Sequence, residues 1–170
     1  MAFEPGSRFE YTNGVSHLLS AIVTDATGMS SLEYARRELF QPLGITDVDW
    51  PTDVLGHNWG YANLRLTPHD MAKIGLLFLH EGQWENSQIV STDWVGEATR
   101  RHQTGTMVDG YGYQWWVDDS GYYMALGYMG QFIFVVPGRD IVAVTTGSSE
   151  ETFNLNLSLI ETYILAAVTD

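Results

Sequence analysis

The chain contains a single lysine, Lys73, so any chemistry that needs a lysine as a base, Schiff-base former or phosphate clamp has one candidate. It contains no cysteine, which excludes thiol catalysis and thiolate metal ligation. The sequence also contains no Gly-x-Ser-x-Gly, His-Glu-x-x-His, Gly-x-Gly-x-x-Gly or phosphate-binding loop. The common self-contained catalytic motifs are therefore absent.

The histidines are scattered without the spacing of metal ligands, so we expect no metal site and no cofactor. We interpret the five histidines as surface or helix-capping residues. These histidines are His17, His57, His69, His80 and His102. Two acidic pairs, Asp118-Asp119 and Glu150-Glu151, fall at a predicted turn and a predicted helix start. We therefore explain the first pair by its exposure to solvent in a turn and the second by its favourable interaction with the helix dipole, and not by acid–base catalysis.

The composition limits the class of protein and its partners. With 170 residues, 45% hydrophobic and 17% charged, the chain is long enough for one globular domain, or two small ones sharing a core. Eight Lys and Arg against 21 Asp and Glu give a net charge of −13, which repels phosphate backbones and anionic lipids. We therefore expect neither nucleic acid nor membrane as a partner. The start shows no signal-peptide pattern, and the compartment stays undetermined.

The first 110 residues read as helices joined by loops. Apolar positions at helical spacing predict a helix from Asn13 to about Gly28, and Ser30 with Glu33 predicts a capping box that opens a second helix. Residues 46–66 lack periodicity and predict a long surface loop. Thr67 and Pro68 open a third helix that stops at Gly82, and a fourth runs from Ser91 to about Arg101.

After Gly110 the pattern changes to strands. Four segments separated by turn-forming residues predict an antiparallel meander, and they are Tyr113–Val117, Tyr122–Leu126, Phe132–Val136 and Ile141–Thr146. In the last two segments apolar residues do not alternate with polar ones, so we expect these strands to be covered on both faces.

Residues 150–168 fit either a strand or a helix, and length together with the acidic start favours a helix. Its apolar stripe is wide, because Leu155, Leu159 and Tyr163 form a second face that one sheet cannot cover.

Five phrases in a fixed order resemble the β-lactamase-related serine hydrolases, a family with class C β-lactamases, D,D-peptidases, carboxylesterases and 6-aminohexanoate-dimer hydrolases. The phrases are PGSRFEYTN (5–13), PLGI (42–45), NLRLTPHDMAK (63–73), YQWW (113–116) and GYMGQFIFVVP (127–137). The resemblance covers nearly the whole chain but only the C-terminal half or so of the family's domain.

The family forms an acyl-enzyme on the serine of a Ser-x-x-Lys motif, which lies upstream of its Tyr-x-Asn motif. In this chain Asp70 stands three residues before Lys73, so the motif is absent. The resemblance therefore implies a chain without its nucleophile, inactive alone.

Tyr11 and Asn13 match the Tyr-x-Asn motif, which implies a proton shuttle and an orienting amide. The alternative is that Asn13 merely caps a helix and Tyr11 packs beside it. A tyrosine with its reference pKa near 10 is only about 0.1% ionised at pH 7, unless a nearby cation lowers that pKa.

Gly127–Gln131 falls where the family carries its third motif. The match implies that the Gln131 backbone N–H is one oxyanion donor and that Tyr128, Met129 and Gly130 contact substrate. Many relatives have Lys-Thr-Gly or His-x-Gly here, so the lack of a cation makes β-lactam or D-Ala-terminal substrates less expected. The alternative is that the glycines only allow a turn and a close backbone approach.

Aromatic residues at Trp50, Trp59, Tyr61, Trp115 and Trp116 could line an acyl or amide pocket, but we favour ordinary core packing.

The resulting interpretation is an α+β fold, with residues 1–110 part of a helical subdomain and 111–170 a sheet with the last helix packed on it. Whether the chain is an enzyme stays open. One hypothesis is a piece of a serine hydrolase acting on an ester or amide. The other is a non-catalytic binding or regulatory module, or one half of a split enzyme completed by an N-terminal half. Either way we expect the isolated chain to self-associate, because an apolar helix face and a sheet edge would lie open.

Overall fold

The computed structural model describes residues 3–4 and 6–167. The described chain divides into two compact units, the first ending at Thr67 and the second beginning at Pro68. This division lies upstream of the change of pattern near residue 110, because the helix that follows Pro68 packs on the sheet. No helix among the described residues is long and apolar enough to cross a bilayer.

The first unit contains two helical segments with the predicted starts. Helix α1 spans Asn13–Thr27, and α2 spans Ser31–Ala35 and continues as a π-helical turn over Arg36–Phe40. The capping box of Ser30 and Glu33 is confirmed, with Glu33 N–H 3.2 Å from Ser30 Oγ and Ser30 N–H 2.9 Å from Glu33 Oε2.

The loop that follows is held by a buried side chain. Asn58 is almost fully buried, its Oδ1 accepts a hydrogen bond from Leu32 N–H at 2.9 Å, and its Nδ2 donates to the Trp50 carbonyl at 2.6 Å. Isolated bridges join Asp49 to Arg65 and Thr52 to Asn58. The predicted long loop is therefore fixed on α2 rather than free.

The second unit begins with α3, Pro68–Leu79, and the short strands β1, Gln83–Trp84, and β2, Ser87–Gln88. Helix α4, Thr92–Ala98, starts at the predicted Ser91, whose Oγ accepts from Trp94 N–H at 3.2 Å. It ends earlier than the predicted Arg101, because the chain turns there into the first strand of the sheet.

The sheet is an antiparallel meander as predicted, but it has six strands rather than four, in the order β3-β4-β5-β6-β7-β8. Its strands are Gln103–Thr104, Gly110–Tyr111, Trp116–Val117, Tyr123–Gly127, Gln131–Val136 and Ile141–Thr145. The predicted strand Tyr113–Val117 is wrong at its start. Gly112 N–H bonds to the Trp115 carbonyl at 2.8 Å and Gln114 has φ 67°, so these residues form a turn.

Helix α3 covers one face of β7 and β8. Ile133 and Val135 belong to the core cluster on this face, with Val142 packed against it. Gly75 permits the close approach, because a Cβ there would lie 2.5 Å from Val142 Cγ1 and 2.9 Å from Ile133 Cγ2. Strand β7 is buried on both faces as predicted, whereas β8 is only half-buried.

The C-terminal segment is helical, which confirms the helix and excludes the strand alternative. It consists of α5, Glu150–Leu159, a π-helical turn, Ile160–Ile164, and α6, Leu165–Ala167. It lies on the sheet face opposite α3: Glu161 accepts a hydrogen bond from the Tyr122 hydroxyl at 2.8 Å, and the Tyr122 ring packs on Phe134. Leu155, Leu159 and Tyr163 remain exposed, as expected for a second apolar face.

Candidate functional site

The Tyr-x-Asn segment lies at the entrance to α1. Thr12 is the N-cap, and its Oγ1 accepts from Gly14 N–H at 3.0 Å, so Asn13 is the first helical residue. The alternative that Asn13 caps the helix is therefore wrong. The side chains of Tyr11 and Asn13 are exposed, with 42% of Tyr11 accessible.

Four residues beyond Asn13, His17 joins α1 to the loop, a role that the sequence did not predict. Its Nε2 lies 3.0 Å from Asp53 Oδ2, and its Nδ1 accepts from Gly60 N–H at 3.4 Å. Both ring nitrogens are thus engaged, with the proton on Nε2 where it can donate to Asp53. The ring is half-buried and holds the loop, so the interpretation of His17 as a surface or capping residue is wrong.

Asp53 is the centre of this junction. Its Oδ1 accepts from Leu55 N–H at 2.8 Å and from His57 N–H at 3.0 Å, while Oδ2 faces His17. Burial acts to raise the pKa of Asp53, but the hydrogen bonds from His57, His17 and Leu55 outweigh it and lower the pKa below the ordinary value. The carboxylate is therefore ionised and structural at neutral pH.

The aromatic residues separate into two groups. Trp115 and Trp116 are buried in the second unit, so the core interpretation is confirmed for them. In the first unit the rings of Trp59 and Tyr61 lie 5.6 Å apart, Trp50 Nε1 donates to the Trp59 carbonyl at 2.9 Å, and Tyr61 stays 43% exposed. Trp50 and Trp59 are half-buried and Tyr61 is exposed, so the core interpretation is not confirmed for these three.

Buried tyrosines in the second unit are poor candidates for a base. Burial, the hydrogen bond to Glu161 and nearby carboxylates raise the pKa of Tyr122. Burial and the charge of Glu81 raise the pKa of Tyr123. Both phenols therefore stay protonated at neutral pH.

The predicted substrate-contacting residues form the turn between β6 and β7. Tyr128–Gly130 is a short helical turn in which Met129 has φ 63° and Gly130 has φ 92°. Tyr128 is 70% exposed, and its hydroxyl lies 3.5 Å from Glu150 Oε1. Glycine adopts positive φ without strain, but a left-handed Met is costly, so surrounding contacts must hold this turn.

Gln131 is the first residue of β7 and pairs with Gly127 of β6. Its side-chain Oε1 accepts from Gly147 N–H at 2.9 Å, which ties the turn to the segment after β8. Tyr11 and Asn13 belong to the first compact unit and Gly127–Gln131 to the second. Across the described residues, no group of three His, Cys, Asp or Glu is arranged to hold a metal.

Comparisons with known proteins agree on one family. A family model described as Beta-lactamase matches residues 1–157. A curated 6-aminohexanoate-dimer hydrolase from Paenarthrobacter ureafaciens is 27% identical over 153 residues, covering 82% of this chain and 39% of that protein.

Solved structures share the fold. A Bacillus anthracis protein, provisionally named as a 6-aminohexanoate-dimer hydrolase, aligns with a TM-score of 0.79 and 26% identity, covering 99% of this chain and 47% of that one. An octameric penicillin-binding protein homologue from Pyrococcus abyssi aligns with a TM-score of 0.71 and 19% identity, covering 96% and 44%. The chain thus spans less than half the length of these relatives.

Proposed function

The chain belongs to the β-lactamase family, and from this premise we propose that it is the C-terminal part of a serine hydrolase that cleaves an ester or amide through an acyl-enzyme. The observation that carries the proposal is how much of each protein the match covers. The family model extends over residues 1–157 of this chain, yet the matched segment is only 39% of the curated relative. The sole lysine is paired with Asp70, Nζ to Oδ1 at 2.9 Å, and no serine stands three residues before it. The chain alone is therefore expected to be inactive.

In this proposal Tyr11 moves the proton and the Asn13 amide orients the substrate or the missing lysine. Two observations support these roles: Thr12 supplies the helix cap, and both side chains are exposed. The test of Tyr11 is activity after mixing with a Ser-x-x-Lys half, using Tyr11→Phe against Tyr61→Phe. Tyr61 is a matched control because it is 43% exposed and lies in the same unit. Loss of activity in both variants, or in neither, would contradict the assignment.

The turn Gly127–Gln131 is proposed to bind the substrate carbonyl, with the Gln131 backbone N–H as a donor and Tyr128, Met129 and Gly130 in contact with substrate. Because Gln131 is also paired with Gly127, the test must identify which N–H of the turn acts. Proline removes the backbone N–H, and Gln131 has φ −82°, near the range of proline. At residue 131 it also removes the side-chain acceptor of Gly147 N–H, a loss that Gln131→Ala reproduces with the backbone N–H kept. In the reconstituted enzyme Gln131→Pro should lower kcat by about 10²–10³-fold, and a larger loss in Tyr128→Pro would move the donor to residue 128.

The substrate is proposed to be an amide or ester without a carboxylate that must be bound at this turn. The segment Gly127–Gln131 carries no Lys or Arg, which argues against β-lactam or D-Ala-terminal substrates. The name of the curated relative makes a 6-aminohexanoate-type amide the first compound to assay.

The first experiment is intact mass after incubation with a broad fluorophosphonate probe. No adduct is expected on the chain alone, and a stoichiometric adduct would show that an activated serine exists and that the proposal is wrong. Esterase or amidase activity that appears only on mixing with a Ser-x-x-Lys half is the positive result.

A second candidate, one half of a split enzyme or a binding module, is favoured by an open surface of the second unit. Among the described residues no strand pairs with the outer edge of β8, which carries no charge, proline or bulge to protect it. Leu155, Leu159 and Tyr163 are exposed on the C-terminal helix. We assign this surface to a complementing N-terminal half, and expect the isolated chain to self-associate in its absence. A monodisperse monomer by light scattering at micromolar concentration would contradict that expectation.

A further inference from the structure

We propose that Asn156 of α5, together with Thr145 of β8, positions the Gly127–Gln131 turn by holding the Gly130 carbonyl. The proposal deepens the proposed function, on which its catalytic meaning rests. It concerns residues to which neither the sequence motifs nor the comparisons assign a role.

The Gly130 carbonyl accepts two side-chain hydrogen bonds. Thr145 Oγ1 donates at 2.9 Å and Asn156 Nδ2 donates at 3.0 Å. The preceding carbonyl, of Met129, lies 2.8 Å from Thr152 Oγ1. Consecutive carbonyls of a strained turn are thus held by the sheet and by the first two turns of the C-terminal helix.

These contacts set the direction of the next backbone N–H. The peptide unit that joins Gly130 to Gln131 is planar and trans, so its C=O and N–H point in opposite directions. With the carbonyl fixed toward Thr145 and Asn156, the Gln131 N–H is aimed away from β8 and α5, on the side of β6, whose Gly127 pairs with Gln131. The two side chains therefore fix the orientation of the group that the proposed function uses as a donor, without touching the substrate.

Asn156 and Gly130 fit each other closely. Asn156 is only 9% exposed, and a side-chain amide is rarely buried unless its N–H groups donate hydrogen bonds. A Cβ on Gly130 would lie 2.8 Å from Asn156 Nδ2 and 3.0 Å from the Thr152 carbonyl. The amide reaches the carbonyl because residue 130 has no side chain.

A hairpin does not need this arrangement for stability. Hairpin loops of two to five residues join antiparallel strands without help from a helix, and Gly, Asn or Asp usually takes their left-handed positions. Here the left-handed position before Gly130 is taken by Met129, and side chains distant in sequence hold the carbonyls of both residues. Backbone conformations that persist only because their surroundings over-determine them cluster at functional sites. We infer that the turn is held for its orientation.

The test is the NMR order parameter of the Gln131 backbone N–H, measured on the full chain. In Asn156→Ala and in the near-isosteric Thr145→Val it should fall from about 0.85 to below about 0.6. Asn154→Ala, at an exposed position of the same helix, and Thr145→Ser, which keeps the hydroxyl, should leave it unchanged. Val135, in the buried part of β7, should stay rigid in every variant.

An unchanged order parameter in both loss variants would overturn the proposal, as would an equal loss of order at Val135, which indicates a merely structural role. Should Asn156→Ala fail to fold, the comparison of Thr145→Val with Thr145→Ser decides whether the proposal holds. In the reconstituted enzyme Asn156→Ala should lower kcat about tenfold with KM nearly unchanged, and an unchanged kcat would also overturn it. If the unaltered chain gives no activity on reconstitution, the proposed function fails, while the order parameters still decide whether the turn is held.

Discussion

Replacing Gly130 by alanine measures how tightly the C-terminal helix closes on the candidate site. The added Cβ causes two penalties. Gly130 has φ 92°, where an L-residue costs about 1–2 kcal/mol more than glycine. The Cβ also meets Asn156 Nδ2 at 2.8 Å and the Thr152 carbonyl at 3.0 Å, an overpacking that costs about 1–3 kcal/mol. The free energy of unfolding should therefore fall by about 2–5 kcal/mol.

Gly121 supplies the matched control, because it has φ 99° but no heavy atom within 4 Å of the position that a Cβ would take. Gly121→Ala should lower the free energy of unfolding by the backbone penalty alone, about 1–2 kcal/mol. The assay is urea unfolding followed by tryptophan fluorescence and by circular dichroism, with coincident transitions required for a two-state treatment. Equal losses in the two variants would show that α5 does not close on the turn, and would refute the close packing of Asn156 and Thr152 against Gly130.

Three further predictions concern other parts of the chain. Gly75→Ala should lower the free energy of unfolding by about 1–3 kcal/mol, because the added Cβ meets Val142 and Ile133. Gly96→Ala, at a helix position with open space around it, should raise the free energy of unfolding slightly. The midpoints of urea unfolding measure both changes. Asn58→Ala should cost about 1–3 kcal/mol in the same assay, since it leaves a buried N–H and C=O unpaired. Because the folded protein lowers the pKa of Asp53, its carboxylate stabilises the fold at pH values above the ordinary pKa of 3.8, and this stabilisation is lost as the pH falls through the folded pKa. The difference in free energy of unfolding between the unaltered chain and Asp53→Asn should therefore become smaller in acid. A difference that does not change with pH would contradict this.

Much of the local structure could be predicted from the sequence, because short-range signals decide it. The Ser30–Glu33 capping box, the Pro68 start of α3 and the meander of the last strands all depend on residues within a few positions of one another. The five ordered phrases identified the family for the same reason, since they are read directly along the chain.

The sequence placed Tyr11, Asn13 and Gln131 in a candidate site through resemblance, but it showed nothing of how they are held. The amino-acid sequence alone determined the Ser30 cap, the starts of the helices and the succession of β5 to β8, and it contains no Ser-x-x-Lys. It did not indicate Thr12 as the cap of α1 or the short strands β1 to β4. Only the tertiary structure decided that His17 binds Asp53 and that Asn156 and Thr145 hold the Gly130 carbonyl. These partners lie 36, 26 and 15 residues apart, and a polar side chain has many equivalent partners along an unfolded chain. Packing selects one of them, because burial makes an unpaired donor or acceptor costly.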